Sequence, residues 1–345
     1  MSNYSFHELM RLGDVIDNLI SKDYIARGIS NELYDYIKSI EKVPLVMSAA
    51  IALTDRVKMG DRVLIFTGWP SCSWLMKGLT ETDGPVGAAI LARVMEESLG
   101  VVPIIVMEQS LIHFGETALR AAGLIVSNLE TALKSKTGPY QASVGAVISL
   151  SSQVEEAKLQ TTKMLSDICP AALISIELPG ANKEYKYYDS AAREIPTESV
   201  MKADEVFKEG KRRGILTIGI GDGGNELGMA NAAPVIEKYL KDGEMIAPVT
   251  TVDKLVVSCI SNWGALGLAA CIAAVTGKSE VFDHIDIVRI TNCLVDEGAV
   301  DGLTAYVDPK NDGASQKVNI GLSEIMSMTL KMYMNGWIKN STVLI

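Results

Sequence analysis

The stretch GILTIGIGDGGNELGMAN, residues 214–231, decides the fold because an apolar run ends there in a turn of glycines and polar side chains. Residues 215–220 are almost wholly apolar, which is typical of a strand buried on both faces of a parallel sheet. The turn glycines are Gly221, Gly223 and Gly224, and they allow positive φ angles or close approach of a ligand. The apolar spacing of residues 226–240 predicts that the turn opens a helix.

Similar apolar runs recur along the chain and alternate with stretches that have helical spacing. We predict strands that begin near residues 62, 102, 123, 145, 172, 215, 254 and 286. This alternation predicts an α/β fold with a doubly wound, mainly parallel sheet and helices on both faces. The first forty residues instead show the spacing of two amphipathic helices. We therefore predict an N-terminal helical extension over residues 1–60, packed on a single elaborated α/β domain over residues 61–345.

Composition excludes several classes of protein. The 345 residues carry a formal net charge of -10, which argues against a nucleic-acid partner. Residues 255–276 are apolar enough to resemble a membrane span, but serines, an asparagine and glycines divide them into a strand, a polar turn and a helix. The five cysteines show no metal-binding spacing and are expected to be reduced thiols. No leader is recognisable at the N-terminus, so we expect a cytoplasmic protein with no membrane partner.

Polar clusters follow three of the predicted strands. Because the carboxyl ends of parallel strands meet at one edge of a sheet, we expect the clusters to share a crevice that binds a small acidic molecule. The candidate substrate-binding residues are Thr67, Gly68, Thr82, Gly221, Gly223, Gly224, Asn225 and Asn262, with Lys186 as a clamp for an anionic group. The candidate acids are Glu81, Asp83, Asp222 and Glu226. Structural roles compete with these: Asp83 and Asn262 are also suitable helix caps, and Asp222 and Asn225 are suitable turn residues.

Two motifs in the glycine turn suggest other functions. The glycines at positions 219, 221 and 224 match the dinucleotide-binding spacing, but they lie late in the chain and no acid ends the next predicted strand. The acidic turn is also similar to the metal-binding loop of haloacid-dehalogenase-like phosphatases. Those enzymes need an upstream Asp-x-Asp pair, and this sequence contains none. Both interpretations are therefore disfavoured.

Five blocks in order resemble the D-glutamate cyclase-like C-terminal domain family, in its stand-alone form. The blocks are TETDGPVGAAILAR at 80–93, ELPGANKEYKYY at 177–188, GIGDGGNELGM at 219–229, SNWGALGL at 261–268 and EGAVDGLT at 297–304. Together they extend the resemblance over residues 62–304. The chain departs from the family at residues 189–192, where YYDSAA replaces YYNMRG, and at residues 230–231, where GMAN replaces GMGK.

The resemblance implies cyclisation of D-glutamate to 5-oxo-D-proline and water, with Mn²⁺ or Mg²⁺ as the metal. Our hypothesis is that Asp83 and Asp222 hold the metal, that the amides of the turn glycines face the substrate carboxylate, and that Glu226 or Glu81 moves the proton. Two alternatives stay open. One is a non-catalytic domain that binds an acidic amino acid or nucleotide, and the other is a metal-dependent phosphoryl-transfer enzyme. A homo-oligomer also stays open, because the small-residue helix after residue 263 suits burial within one chain or between subunits.

Overall fold

A computed structural model describes residues 5–137 and 141–334 of the chain. The strands are β1 (Arg62–Phe66), β2 (Val102–Met107), β3 (Ile125–Val126), β4 (Val144–Ser149), β5 (Ala172–Ile176), β6 (Tyr187–Tyr188), β7 (Glu194–Ile195), β8 (Leu216–Gly221), β9 (Lys254–Val257), β10 (Lys310–Asn311) and β11 (Ala314–Ser315). The helices are α1 (Phe6–Ser21), α2 (Ser30–Glu41), α3 (Leu45–Arg56), α4 (Pro85–Leu99), α5 (Ile112–Ala121), α6 (Leu129–Lys134), α7 (Val154–Asp167), α8 (Ala203–Arg212), α9 (Ala233–Tyr239), α10 (Gly243–Ile246), α11 (Ser261–Thr276), α12 (Ile287–Asp296) and α13 (Gln316–Met334).

A seven-stranded parallel sheet in the order β3-β4-β2-β1-β5-β8-β9 forms the centre of the molecule. Side chains of β1 alternate between its two faces: Val63 and Ile65 join one hydrophobic core, and Leu64 and Phe66 join the other. Helices α1, α3, α4 and α11 cover the first face, whereas α2, α7 and α8 cover the second. The predicted doubly wound α/β fold is confirmed.

The two predicted N-terminal helices are α1 and α2, and a third helix, α3, follows them. Helices α1 and α3 both pack against α11, and the amide of Cys259 donates to the carbonyl of Ile20 at 2.7 Å. The sheet and the N-terminal helices therefore share one core. The boundary between residues 1–60 and 61–345 stays a prediction.

The segment that resembles a membrane span forms β9, a turn and α11, as predicted. Residues 261–274 of α11 are all buried within the single chain. None of the helices in the described part of the chain combines the length and apolar character needed to cross a membrane. The five cysteines are free thiols, in agreement with the expectation from their spacing.

Two predictions of secondary structure are wrong. The strand expected from residue 286 is the start of α12, and the Asp286 side chain caps this helix by accepting from the amide of Arg289 at 2.9 Å. The glycine turn after β8 does not open a helix either, because α9 begins only at Ala233. Gly224 and Gly228 have φ angles of 93° and 105°, which are incompatible with a right-handed helix. The segment between them is an extended loop instead.

Candidate active site

The loops that follow four neighbouring strands converge at one edge of the sheet. Asp83 lies in the loop after β1, Glu177 directly follows β5, Asp222 directly follows β8, and Asn262 lies in the first turn of α11, after β9. The loops therefore lie together as expected, because parallel strands place their carboxyl ends at one edge. Binding of a small acidic molecule at this edge stays a prediction.

Three buried carboxylates meet at the centre of this edge. One oxygen of each of Asp83, Glu177 and Asp222 lies within 4.8 Å of the others, and these residues are 0%, 6% and 1% exposed. Asp222 accepts a hydrogen bond from Arg27 at 3.0 Å through Oδ2, while its buried Oδ1 has no partner among the described residues. A buried carboxylate oxygen without a partner is unusual and fits a ligand position. An all-oxygen donor set of this kind suits Mg²⁺ or Mn²⁺ rather than zinc.

Two further carboxylates, Glu81 and Asp312, flank the three and make the centre strongly acidic. Burial raises the pKa of Asp83 to about 8, with the nearby Asp312 carboxylate as the next cause. Burial likewise raises the pKa values of Glu81, Glu177 and Asp222 well above the ordinary range for carboxyl groups. Arg27 opposes this effect at Asp222 without cancelling it. The cluster therefore needs protons or a bound cation to balance its charge.

The glycine turn is closed by its own glutamate. Glu226 is fully buried, and its carboxylate accepts hydrogen bonds from the amides of Asp222, Gly223 and Gly224 at 2.7, 2.5 and 2.8 Å. We expected these glycine amides to face a substrate and Glu226 to move a proton. The structure corrects both expectations, because the amides and the carboxylate satisfy each other. Glu226 is thus the group that shapes the turn.

Asp83 and Asn262 take part in helix caps rather than in open contacts. The Asp83 side chain makes no bond to the first turn of α4, the helix that follows it. Its carboxylate accepts instead from the amides of Ser261 and Asn262 in α11. Asn262 Nδ2 donates to the carbonyl of Thr82 at 3.0 Å. Asn262 is therefore a structural neighbour of the carboxylates. The alternative prediction that it caps its own helix is wrong, because its side chain makes no capping bond to α11.

A cavity of about 330 Å³ adjoins the carboxylate cluster at Glu177, whereas the other two clustered carboxylates do not line it. Of the predicted site residues, Glu81 and Asn225 line it, and Asn225 is held by donating from Nδ2 to the Tyr188 carbonyl at 2.9 Å. The cavity has the size of a small-molecule site. Most of its lining comes from the loop after β1, the β6–β7 hairpin and the loop before β10.

The remaining predicted residues lie below or outside the cavity. Thr67 is buried, and its Oγ1 has no partner in the described part of the chain, whereas Thr82 Oγ1 donates to the Lys310 carbonyl at 2.5 Å. Gly68 and Gly221 form the ends of the β1 and β8 segments and do not line the cavity. Lys186 is on the surface, where it pairs with Glu194 at 3.1 Å, and it does not line the cavity either.

Sequence reasoning assigned no role to three charged residues of the site. Glu177 directly follows a predicted buried strand, so the rule that found Asp222 could also have found it. Asp312 lies in a late segment with a loop-like sequence, and Arg27 lies between the two N-terminal helices. Neither position has a local pattern that indicates a site. Only the tertiary structure brings them to the cluster.

Comparisons with known proteins agree with the resemblance seen in the sequence. A family model described as D-glutamate cyclase-like, C-terminal matches residues 16–324. Human mitochondrial D-glutamate cyclase is 30% identical over 213 residues, which are 61% of this chain and 32% of the human protein. The matched part thus spans about a third of that relative. A short-chain dehydrogenase/reductase from Serratia marcescens is similar over 48% of this chain and 56% of its own, with 16% identity and a TM-score of 0.25, which supports no inference.

Proposed function

This chain belongs to the D-glutamate cyclase-like, C-terminal family, and from that premise we propose that it cyclises D-glutamate or a related acidic amino acid to 5-oxo-D-proline and water. The observation that carries the proposal is the convergence of Asp83, Glu177 and Asp222 beside a cavity, with Asp222 Oδ1 lacking a partner among the described residues. The cavity volume of about 330 Å³ is sufficient for a small amino acid.

The reaction imposes clear chemical demands. The substrate α-ammonium loses one proton before it attacks the carbon of the distal carboxylate and a second once the C–N bond has formed, and a C–O bond breaks. The departing oxygen takes up protons and leaves as water. A carboxylate is a poor electrophile because of its negative charge, so the site must neutralise that charge and protonate the leaving oxygen.

We propose that Asp83, Glu177 and Asp222 hold a divalent cation, Mn²⁺ or Mg²⁺. The fit rests on their oxygen donors, their mutual distances and the unpartnered oxygen of Asp222. A divalent cation supplies positive charge that withdraws electron density from a substrate carboxylate. The three protein carboxylates keep their positions through bonds to the surrounding chain, such as the 2.5 Å bond that Ser261 Oγ donates to Glu177.

Glu81 is the residue that we assign to proton transfer. It lines the cavity, and Ser71 Oγ donates to its Oε2 at 3.2 Å. Burial and the neighbouring carboxylates of Asp312 and Asp83 raise the pKa of Glu81, which favours its protonated form, and this form can give a proton to the departing oxygen. Glu226 is unsuited to this role because three backbone amides occupy its carboxylate.

A chromatographic assay for 5-oxoproline tests the proposal. We expect product from D-glutamate in the presence of Mn²⁺, less product from L-glutamate, and little product after removal of the metal. Asp222→Asn should lower the metal-dependent rate by at least about tenfold, whereas Glu116→Gln, a surface change on α5, should not. An Asp222→Asn protein with the wild-type rate would contradict the metal assignment.

Other outcomes of the same experiments identify the alternatives. Binding of D-glutamate without product under any condition would indicate a binding domain. Release of phosphate from a panel of small phosphate esters would indicate phosphoryl transfer. The cytoplasmic location and a homo-oligomeric state also remain proposals, which cell fractionation and sedimentation can test.

A further inference from the structure

The cavity beside the carboxylate cluster contains more acidic than basic side chains. Its acidic lining residues are Glu81, Glu177, Asp189, Glu194, Asp301 and Asp312, and its basic lining residues are Arg27 and Arg193. The acidic lining repels an acidic amino acid unless a cation pairs with each carboxylate of that amino acid. The proposed metal can receive the carboxylate that reacts. The carboxylate that does not react needs a second cation.

The two arginines differ in their ability to provide this contact. Arg193 lies at the mouth of the cavity with a side chain that is 77% exposed, and its Nε donates to Asp189 at 2.6 Å. Solvent screens an ion pair formed there. The Arg27 side chain is only 16% exposed and reaches the buried Asp222. Arg27 is therefore the cation at the base of the cavity.

The backbone around Arg27 is firmly positioned by local hydrogen bonds. The Asp23 carboxylate accepts from the amides of Arg27 and Gly28 at 2.8 and 2.7 Å, and Ala26 has a left-handed φ of 57°. In the same loop, the ring of Tyr24 packs edge-on against Trp263 of α11 at a centroid distance of 6.0 Å. The loop between α1 and α2 thus presents Arg27 to the site in a preorganised position.

The guanidinium has donors beyond its two ion pairs. Both pairs use the same nitrogen, Nη2, which donates to Asp222 at 3.0 Å and also to Asp312. Nε is buried and has no partner within residues 5–137 and 141–334. A guanidinium carries five N–H donors in a planar fork that matches a carboxylate. Asp222 and Asp312 therefore orient the group and leave part of the fork for another ligand.

We infer that Arg27 binds the α-carboxylate of the substrate and makes the site select α-amino acids over amines that carry only the distal carboxylate. The inference rests on the proposed function, since the α-carboxylate of D-glutamate takes no part in the cyclisation and persists in 5-oxoproline. A group that holds this carboxylate fixes the α-carbon. The amine is then directed toward the distal carboxylate beside Asp83, Glu177 and Asp222.

A pair of ligands that differ only in the α-carboxylate tests the contact directly. D-Glutamate has this group, and 4-aminobutanoate lacks it while keeping the amine and the distal carboxylate. With Mn²⁺ present, Arg27→Gln should weaken D-glutamate binding in calorimetry by about 10- to 100-fold, the loss expected for a hydrogen bond between charged groups. Binding of 4-aminobutanoate should change by less than about threefold. Arg27→Lys should lose an intermediate amount of D-glutamate affinity, since lysine keeps the charge but lacks the planar set of guanidinium donors.

Two measurements separate this role from a structural one. Electron paramagnetic resonance should show that Arg27→Gln binds Mn²⁺ at least as tightly as the wild type, because a positive charge beside Asp222 has been removed. Arg120→Gln is the matched control, since Arg120 pairs with Glu116 on the surface of α5. The inference would be overturned if Arg27→Gln lost affinity equally for both ligands. It would also be overturned if Arg193→Gln, and not Arg27→Gln, lost affinity for D-glutamate alone.

The outcomes also distinguish this inference from the proposed function. If the wild type binds D-glutamate without forming 5-oxoproline, the proposed reaction is wrong, and the ligand pair still decides the role of Arg27. If Arg27→Gln forms 5-oxoproline with an unchanged KM, the inference is wrong and the reaction stands. A wild-type protein that neither binds nor converts D-glutamate overturns both.

Discussion

Asp83 and Asn262 lie at the N-terminal ends of two different helices, and each side chain caps the helix of the other residue. The Asp83 carboxylate accepts from the amides of Ser261 and Asn262 at 3.0 and 2.7 Å, at the start of α11. Asn262 Oδ1 accepts from the amides of Gly84 and Gly87 at 3.0 and 2.7 Å, at the start of α4. Helix N-termini leave such amides without internal partners. The exchange satisfies both helices and fixes Asp83 beside Glu177.

Loss of this exchange should destabilise the fold. Asn262→Ala removes an acceptor from the buried amides of Gly84 and Gly87, so we expect the free energy of unfolding in urea to fall by about 1–3 kcal/mol. Asn128→Ala is the control, because Asn128 caps the surface helix α6 by accepting from Thr131 at 2.9 Å. That change should lower stability by about 1 kcal/mol without affecting 5-oxoproline formation. An unchanged urea midpoint in Asn262→Ala would contradict the capping role.

Glu226 should be essential for folding stability. Glu226→Ala removes the acceptor for three buried amides of the glycine turn, and we expect a loss of about 2–5 kcal/mol in the free energy of unfolding. Chemical denaturation monitored by circular dichroism measures this loss. A Glu226→Ala protein with wild-type stability would show that the turn does not depend on this carboxylate.

Glu81 should affect the reaction and not the fold. Glu81→Gln keeps the shape of the side chain but cannot give up a proton, so kcat for 5-oxoproline formation should fall by about 10²-fold. Its thermal midpoint should stay equal or rise, because a buried acid in an acidic cluster has been replaced by a neutral group. The outcome that excludes Glu81 as the acid is an unchanged kcat at neutral pH.

Stability of the metal-free protein should decrease as pH rises. The pKa of Asp83 is raised from 3.8 to about 8 by burial and by Asp312. Between these values the folded state holds a proton that the unfolded state has lost, so the free energy of unfolding falls with pH across this window. Thermal midpoints in EDTA at pH 5 and pH 8 measure the slope, which should be shallower in Asp83→Asn. An equal slope in the wild type and in Asp83→Asn would show that other groups cause the pH dependence.

Mn²⁺ should restore the stability that the metal-free protein loses as the pH rises toward 8. A cation binds the deprotonated carboxylates, so Mn²⁺ should raise the thermal midpoint more at pH 8 than at pH 5. The same measurement on Asp222→Asn should show a smaller increase. A Mn²⁺ effect that is independent of pH and of Asp222 would place the binding elsewhere on the protein.

Gly84 should not tolerate a side chain. Its φ is 93°, and an added Cβ would lie 2.5 Å from Thr67 Oγ1 and 3.0 Å from Glu177 Cβ. We expect Gly84→Ala to lower the free energy of unfolding by about 2–4 kcal/mol, from backbone strain and overpacking together. The control Gly277→Ala has a φ of 73° but open space around it, and should cost about 1–2 kcal/mol. Equal losses would mean that backbone strain alone sets the cost.

Local sequence patterns were sufficient for most of the parallel sheet, because its strands are short apolar runs buried on both faces. They were insufficient where one pattern suits two structures. Residues 286–290 alternate well enough for a strand, but the segment packs against α5 and forms α12. After β8, the side chain of Glu226 accepts hydrogen bonds from the turn amides, which would have had no internal partner at the start of an immediate helix.

The sequence by itself determined the α/β class, the family and the positions of Asp83 in the loop after β1 and of Asp222 directly after β8. The class and the positions follow from hydrophobic periodicity and chain direction, and the family follows from the resemblance of five sequence blocks. All of these are local properties. Only the tertiary structure decided that Arg27 and Asp312 join Asp222, and that Lys186 stays on the surface. Such contacts depend on how the α1–α2 loop and the late loops pack on the sheet. Packing is set by long-range burial and charge balance, which no local pattern records.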